Sequence, residues 1–562
     1  MAEHLTLEDA VAGHIRPGDS VHVMLGHSRW TAAARELVRQ QWGSDLGLTL
    51  VMVSLSSLGA LFFRGGLVRK VVTSYSGDTF PTYSPNPIFQ TAYARGEVEV
   101  EHWSILTYGQ RLEAAARGLP AMVTSSLSGS SMATNDGYAE VDTELGRVGL
   151  LAPLVPDVTL VHAAVADRAG NVAMHPPLLE APWGALAARR GAIVTVDAIV
   201  DDLSPWSHLV RIPAHRVLAV AEAPMGAHPG GLYTGGVTGS LPVAGYGEDI
   251  AFWTDARAAC RGDFDTWARE WCLEVPTQDA YLERLGADRQ AWLRARTDPE
   301  SWRDDEEAHP VDEQAPATAW ETAAVFGVRE LGARIDAVGA DAVLAGAGVA
   351  NLAAWVAVGE ARARGVDVLL TAELGLWGYT PTLADPYIFN QRSFPSATML
   401  TDASHVLGLL VDDERTRTIA CLGAAQVDRR GNVNSTRLAD GTILVGSGGA
   451  NDVASRAAEC LVITLAKPLR LAADLGFVTS PGERVRTVVT DRGVLRKRDG
   501  ELCLAAVRAG ESPLADRVRA AVDACGWDLR VDRDVEELAP ADHAEVLALR
   551  RYDPEGWFLR ES

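Results

Sequence analysis

Two short stretches of this chain carry residue types able to do covalent or anion chemistry. The first is Thr371-Ala-Glu-Leu-Gly-Leu-Trp-Gly-Tyr-Thr-Pro381, where Glu373 is followed by Gly375 and Gly378. A carboxylate is a competent covalent nucleophile, and nearby glycines let another backbone or a substrate come close. The same letters also describe a surface charge beside a turn. The second is Gly446-Ser-Gly-Gly-Ala-Asn451, between the strand-like Thr442-Ile-Leu-Val445 and a helix predicted over Asp452 to Ala458. A glycine loop at a helix start presents unpaired amides that suit a phosphate or an oxyanion. It is equally a tight turn. No Gly-Lys-Ser/Thr follows, so it is not a Walker loop, and its glycines do not space as GxGxxG.

The elements that must position these residues are read from apolar runs. Ser20-Val-His-Val-Met-Leu-Gly26 predicts a strand, Trp30 to Gln41 a helix, and Leu48 to Ser54 a second strand. Ala342-Val-Leu-Ala-Gly346, Ala350 to Arg364 and Val366 to Thr371 repeat that order in the second half. Continuous apolar strands joined by helices predict parallel βαβ units. A repeated phrase supports the pairing of halves. Asp167-Arg-Ala-Gly-Asn-Val172 returns as Asp428-Arg-Arg-Gly-Asn-Val433, each closing an apolar run, Val158 to Ala166 and Thr418 to Val427. Gly170 and Gly431 can take positive φ, and Asp and Asn can bond turn amides, so a structural turn suffices for this phrase. The fold expectation is two related open α/β domains with mainly parallel sheets. Aligning the second βα pair of each half sets Glu373 opposite Leu55, so only one half has a carboxylate at that strand end. Ligands of open parallel sheets bind at the carboxyl ends of strands.

Thr297 to Pro316 carries eight acidic residues against one arginine, with three prolines. It reads as a solvated linker, and Pro299, Pro310 and Pro316 argue against a helix there. The expected division is residues 1–296, a linker at 297–317, and 318–562. A chain of 562 residues holds more than one core. The formal net charge of −23 argues against a nucleic-acid surface. No apolar run reaches the roughly 20 residues of a membrane span, and the first residues do not resemble a secretory signal. Six cysteines without a CxxC pair suit reduced thiols and give a zinc cluster no support. A cytoplasmic protein without metal, membrane or nucleic-acid partner is expected.

In their order and context these segments resemble the family I CoA-transferases, most nearly the glutaconate CoA-transferase branch, with α- and β-like subunits joined in one chain. Gly423-Ala-Ala-Gln-Val-Asp-Arg-Arg-Gly-Asn-Val-Asn-Ser-Thr436 matches the β-subunit GxAQ(I/V)DxxGNVNST stretch. Gly446 to Asn451 matches GSGGAN, Val478 to Gly482 matches VTSPG, and Val488 to Leu495 matches VVTDxGxL. Cys525-Gly-Trp-Asp-Leu529 is similar to the late TGFDL box. The first half is a looser match, through Leu5 to Val11, Pro17-Gly-Asp19, Gly118-Leu-Pro120 and Gly226-Ala-His-Pro229. After the last of these the chain departs from the family, with Gly230 to Gly239 in place of polar and tyrosine-rich residues.

The resemblance implies the CoA-transferase fold and an exchange of coenzyme A between an acyl-CoA and a free carboxylic acid. Coenzyme A is then a co-substrate, and neither ATP nor a metal is needed. Glu373 falls where the family carries its catalytic glutamate, which forms a glutamyl-CoA thioester. Amides of Gly448 and Gly449 are the expected oxyanion donors. Ala450 belongs to the same loop, and Gln426 and Asn451 orient substrate or Glu373. Gly26, Ser28 and Ser76, near strand ends of the α-like half, are candidates for the acid pocket. Lys467 and Arg470 are candidate phosphate partners. The related αβ units pair further, so a homo-oligomer is expected. The competing readings are an acyl-CoA or carbon–carbon hydrolase of the same fold and a non-catalytic acyl-CoA-binding protein. The ring-opening hydrolases place a glutamate in the α-like half, and the stretch around Glu101 to Ile105 offers no counterpart.

Overall fold

Two ten-stranded sheets organise the chain in the computed structural model, which describes residues 2–26, 28, 30–235 and 241–560. The first begins with β1 (Glu3–His4), β2 (Ser20–Val23), β3 (Leu48–Val51), β4 (Val68–Thr73) and β5 (Glu99–His102). A separate three-stranded antiparallel sheet follows, β6 (Met122–Thr124), β7 (Tyr138–Thr143) and β8 (Gly146–Leu151). The chain then returns through β9 (Val158–Asp167), β10 (Val172–Ala173), β11 (Gly191–Val200), β12 (Val210–Ile212) and β13 (Val217–Glu222). The spatial order is β1-β13-β11-β9-β2-β3-β4-β5, and every neighbouring pair along it is parallel. Such strands are covered on both faces, which is why β9 is apolar along almost its whole length.

The second sheet contains β14 (Ala342–Ala345), β15 (Leu369–Ala372), β16 (Leu376–Trp377), β17 (Met399–Leu400) and β18 (Thr418–Gly423). A small pair, β19 (Gln426–Val427) and β20 (Val433–Asn434), stands apart. The sheet continues with β21 (Glu459–Ile463), β22 (Val485–Val489), β23 (Gly493–Arg498), β24 (Glu501–Arg508) and β25 (Arg530–Leu538). Its order is β17-β16-β15-β14-β18-β21-β22-β23-β24-β25. The run β15-β14-β18-β21-β22 repeats the run β3-β2-β9-β11-β13, strand for strand in chain sequence, and both are parallel throughout.

The halves diverge at one edge of that shared core. Beyond β3 the chain enters the helix Ala60–Arg64 and adds parallel β4 and β5. Beyond β15 it turns straight back as the antiparallel hairpin β15–β16 and adds antiparallel β17. The expected second βα pair therefore exists only in the first half. The expected strand Thr442–Val445 is also absent; Ile443 makes an isolated bridge to Arg437. The predicted helices are found at Ala32–Gln41, capped by the Thr31 hydroxyl, at Val349–Ala363, and at Ala450–Arg456.

The repeated phrase does the same structural work twice. Asp167 accepts from the Asn171 backbone and side-chain nitrogens, both at 2.8 Å, and Asp428 accepts from those of Asn432 at 2.9 and 2.8 Å. Each asparagine oxygen then accepts a distant amide, Ala214 at 3.0 Å and Gly482 at 2.7 Å. Gly170 and Gly431, at φ of 96° and 81°, permit the turn.

The acidic connection is more ordered than its composition suggests. Residues Trp302–Ala308 form a helix, preceded by a 3-10 turn at Pro299–Ser301. Asp305 pairs with Arg296 and Arg392, both at 2.7 Å, and so fastens this segment to residues on either side of it in the chain. Prolines at the helix margins leave its seven residues undisturbed. No helix among the described residues is long and apolar enough to cross a membrane.

Candidate active site

Glu373 occupies the tight turn of the β15–β16 hairpin, half-buried. The turn is over-determined. Thr371 and Ala372 pair with Trp377 and Leu376, and the Gly375 amide donates to the Ala372 carbonyl at 3.1 Å. Gly375 holds φ of 122° and is tied to the next strand through the Thr401 amide, which donates to its carbonyl at 2.8 Å. A side chain at Gly375 would strike the Thr401 carbonyl. Both the dihedral and the close approach require glycine here.

The glycine loop reaches the same carboxylate. A Cβ placed on Gly449 would overlap the Glu373 Oε2, with Cδ at 3.2 Å and Leu407 Cδ1 at 3.5 Å. Gly449 is in an ordinary conformation, φ −86° and ψ 0°, so it is the Glu373 carboxylate that leaves no room for a side chain.

The loop is fixed by the first half. Ser76 donates its amide to the Val445 carbonyl at 2.6 Å, and Ile105 donates to the Gly448 carbonyl at 3.0 Å. The Ser74 hydroxyl also donates to the Gly448 carbonyl, at 3.3 Å. Asp452, in the first turn after the loop, accepts from the Ser104 hydroxyl at 2.5 Å and the Leu106 amide at 3.0 Å. Burial pushes the Asp452 carboxyl up to about 6, against the pull of those two donors. His102 lies 3.0 Å from where a Cβ on Gly446 would stand, and burial, with Arg437 nearby, lowers its imidazole to about 4.

Several expected roles change with this geometry. Gly448 spends its amide on the Ser74 carbonyl at 3.3 Å, so it is not a free oxyanion donor, whereas the Gly449 amide has no carbonyl partner among the described residues. Ala450 donates to the Ser447 carbonyl. Asn451 is fully buried and bridges the halves, accepting from the Leu127 amide and donating to the Thr479 carbonyl. Gln426 bonds Asn434 and the Leu469 carbonyl within the second half. Gly26, at φ 53°, donates its amide to Glu180. The Ser76 hydroxyl is paired with Tyr93 at 2.6 Å. Ser28 is buried with its carbonyl against Gly230, which packs the β2 turn onto the Gly226–Gly230 loop. Gly236 to Gly239, in the stretch that departs from the family, lie outside the described residues. Arg470 lies over the Trp320 ring and donates to the Ala424 carbonyl at 3.2 Å. Glu101 is engaged with Trp103, Lys70 and Arg111.

The residues that sequence reasoning missed are Ser74, Ser104, Asp452 and Glu180. Ser104 had a local signal, as the cap of the helix Ile105–Ala116. Its bond to Asp452, 348 residues away, had none.

The family model described as Coenzyme A transferase matches residues 4–223. A curated relative, one of the subunits of the 3-oxoadipate CoA-transferase of Pseudomonas knackmussii, is 32% identical over 236 residues, covering 41% of this chain and 82% of that protein. One of the subunits of the glutaconate CoA-transferase of Acidaminococcus fermentans is 32% identical over 166 residues, 26% of this chain and 60% of that protein. Among solved structures, the acyl-CoA transferase apoenzyme of Escherichia coli O157:H7 aligns with a TM-score of 0.63 at 16% identity, over 97% of this chain and 96% of that one.

Proposed function

This chain belongs to the coenzyme A transferase family, and from that premise we propose that Glu373 is the nucleophile through which it moves coenzyme A from an acyl-CoA to a free carboxylic acid. The observation that carries the assignment is the contact of the Glu373 carboxylate with Gly449, whose amide has no carbonyl partner among the described residues.

The chemistry conserves one activated acyl bond. The Glu373 carboxylate attacks the thioester carbonyl, the C–S bond breaks, and CoA leaves as a thiolate. The product is a mixed anhydride, close in energy to the thioester. The thiolate then attacks the glutamyl carbonyl and expels the first carboxylate, leaving a glutamyl-CoA thioester. A second carboxylate reverses the sequence. No net proton and no phosphate bond are consumed. The Gly449 amide, beside the carboxylate, is placed to donate to the oxyanion that develops on either carbonyl; one such donor is typically worth about 3–4 kcal/mol. The Ser74 and Ser104–Asp452 contacts hold that amide in place.

We assign residues 1–296 to the domain that shapes the acid pocket, through Leu25, Gly26 and Ser28 and the Gly226–Gly230 loop. Residues 318–562 supply the nucleophile and the glycine loop. The engagement of Glu101 by Lys70, Arg111 and Trp103 supports transfer over a hydrolase that would use a carboxylate there. The relatives point to dicarboxylic and 3-oxo acids as the first acids to try.

The test is to incubate the protein with acyl-CoA donors, reduce with borohydride and map the modified residue by mass spectrometry. Modification at Glu373 is expected, and Glu373→Gln should lower transfer by at least ~10³-fold. Transfer persisting in an unmodified protein would overturn the covalent route. Free CoA released without an acceptor, as fast as transfer, would favour hydrolysis.

A further inference from the structure

Glu180 is a buried acid with no part in the transfer steps. It is 2% exposed, and it ends a segment wound around the nucleophile hairpin. Leu179 donates its amide to the Leu374 carbonyl at 3.0 Å, Leu178 donates to the Thr401 carbonyl at 2.8 Å, and Ala403 donates to the Leu179 carbonyl at 2.9 Å. Since Thr401 is itself bonded to Gly375, the backbone immediately after Glu373 is tied to Leu178–Leu179. The next side chain reaches the other way. The Glu180 carboxyl oxygens accept the Leu25 amide at 2.7 Å and the Gly26 amide at 3.3 Å. One residue thus joins the turn after β2 to the hairpin that carries the nucleophile.

Two donors facing one carboxyl call for two acceptor oxygens. The ionised group supplies both. The neutral group keeps one good acceptor, its carbonyl oxygen; the hydroxyl oxygen accepts only weakly and its proton faces an N–H with which it cannot pair as a donor, so one of the two bonds weakens. Among the described residues the titratable groups facing Glu180 are His22 of β2, with Nε2 at 3.9 Å, and Tyr108 of the helix Ile105–Ala116. Burial holds His22 near 3, so it is neutral and supplies no counter-charge. Burial pushes Glu180 up to about 7, against the pull of the Leu25 and Gly26 amides and of its own.

We propose that Glu180 is a positioning residue that keeps the acid-pocket turn at Leu25–Gly26 in register with Glu373, and that it does so fully only when ionised. The proposal rests on the transfer reading above, because it assigns the acid to the side of the site that Leu25–Gly26 borders.

The experiment follows kcat and KM for an acceptor acid from about pH 5.5 to 9 in the wild type and in Glu180→Gln, with the glutamyl adduct and the unfolding midpoint measured alongside. In the wild type kcat/KM should rise about tenfold as the pH passes 7, the scale of one charge-assisted hydrogen bond. Glu180→Gln should still form the adduct, show a KM for the acid raised about tenfold, and lose that rise. A Gln variant that keeps the wild-type pH profile, whatever its midpoint, would reduce Glu180 to packing. Should the variant not fold, the wild type alone decides, and a profile flat between about pH 6 and 8 overturns the proposal. A missing adduct, read by mass, counts against the covalent route; the pH rise and its loss are read separately in kcat/KM.

Discussion

Gly449→Ala separates the stability of this chain from its chemistry. The backbone at Gly449, φ −86° and ψ 0°, is open to alanine, so the substitution brings no conformational strain. Removing a glycine lowers the entropy of the unfolded chain, which favours folding by about 0.4–1 kcal/mol. The new methyl overlaps Glu373 Oε2, while Leu407 at 3.5 Å is an ordinary contact. The carboxylate is the movable end of a side chain, so it retreats by roughly 1 Å and folding is spared. Transfer is not, because a misplacement of that size at reacting atoms costs on the order of 10²-fold. The expected result is a midpoint equal to or above that of the wild type, with acyl-CoA-to-acid transfer, followed by chromatography of the CoA esters, slowed about a hundredfold. Gly448→Ala serves as the contrast. It has open space around it but a φ of +52°, so its cost falls on stability, about 1–2 kcal/mol, rather than on the carboxylate. Wild-type transfer by a folded Gly449→Ala protein would refute the placement of the reacting carboxylate against this loop.

Stability should change by no more than about 1 kcal/mol as the pH falls from about 8 to 6, because two opposed sets of buried groups are linked to protons there. Burial holds Glu180 at about 7 and Asp452 and Asp553 at about 6, all above their unfolded values near 4, so the folded state binds the extra protons, a gain of about 2 kcal/mol. From about pH 7.5 downward the buried imidazoles His22 and His102, lowered by burial to about 3 and 4, cancel most of that gain because only the unfolded chain takes those protons, and His175 and His228, also lowered by burial, add to the opposition. Unfolding followed against pH checks this, and a stability that changes by more than about 2 kcal/mol between pH 8 and 6 contradicts it. Asn171→Ala and Asn432→Ala should each destabilise by about 1–3 kcal/mol, since each removes the side-chain bond to its aspartate and leaves one distant amide without a partner. Both should keep kcat within about twofold if the repeated turn is structural; a large loss of kcat in either, with the fold intact, would bring that turn into the chemistry.

Much of the fold was legible because its signals are local. β9, β11, β14 and β18 are apolar runs, and a strand buried on both faces needs little else to be recognised. The repeated turn was legible because an aspartate, a glycine and an asparagine specify it within six residues. The hairpin after β15 was not. Its second strand, Leu376–Trp377, is two residues long, too short for any period, and only the pairing of Thr371 with Trp377 defines it. The helix Trp302–Ala308 was masked by acidic composition, because what anchors it is Asp305 between Arg296 and Arg392.

The same division runs through the site. Glu373, its glycines and the loop Gly446–Asn451 were readable as residue types in a recognisable order, since a nucleophile and a backbone donor have fixed chemical requirements. Which amide is available was not readable. Gly448 and Gly449 are equivalent as letters, and they differ only because Ser74, 374 residues earlier in the chain, takes the carbonyl and the amide of one and leaves the amide of the other. Glu180 is likewise one acid among many until folding sets it between the β2 turn and the nucleophile hairpin. By itself the sequence determined the backbone periods, the turn and the chemical groups, because these depend on neighbours within a few residues. Tertiary structure alone decided which groups face one another and which donors remain free, because a hydrogen bond is made to whatever packing brings within about 3 Å.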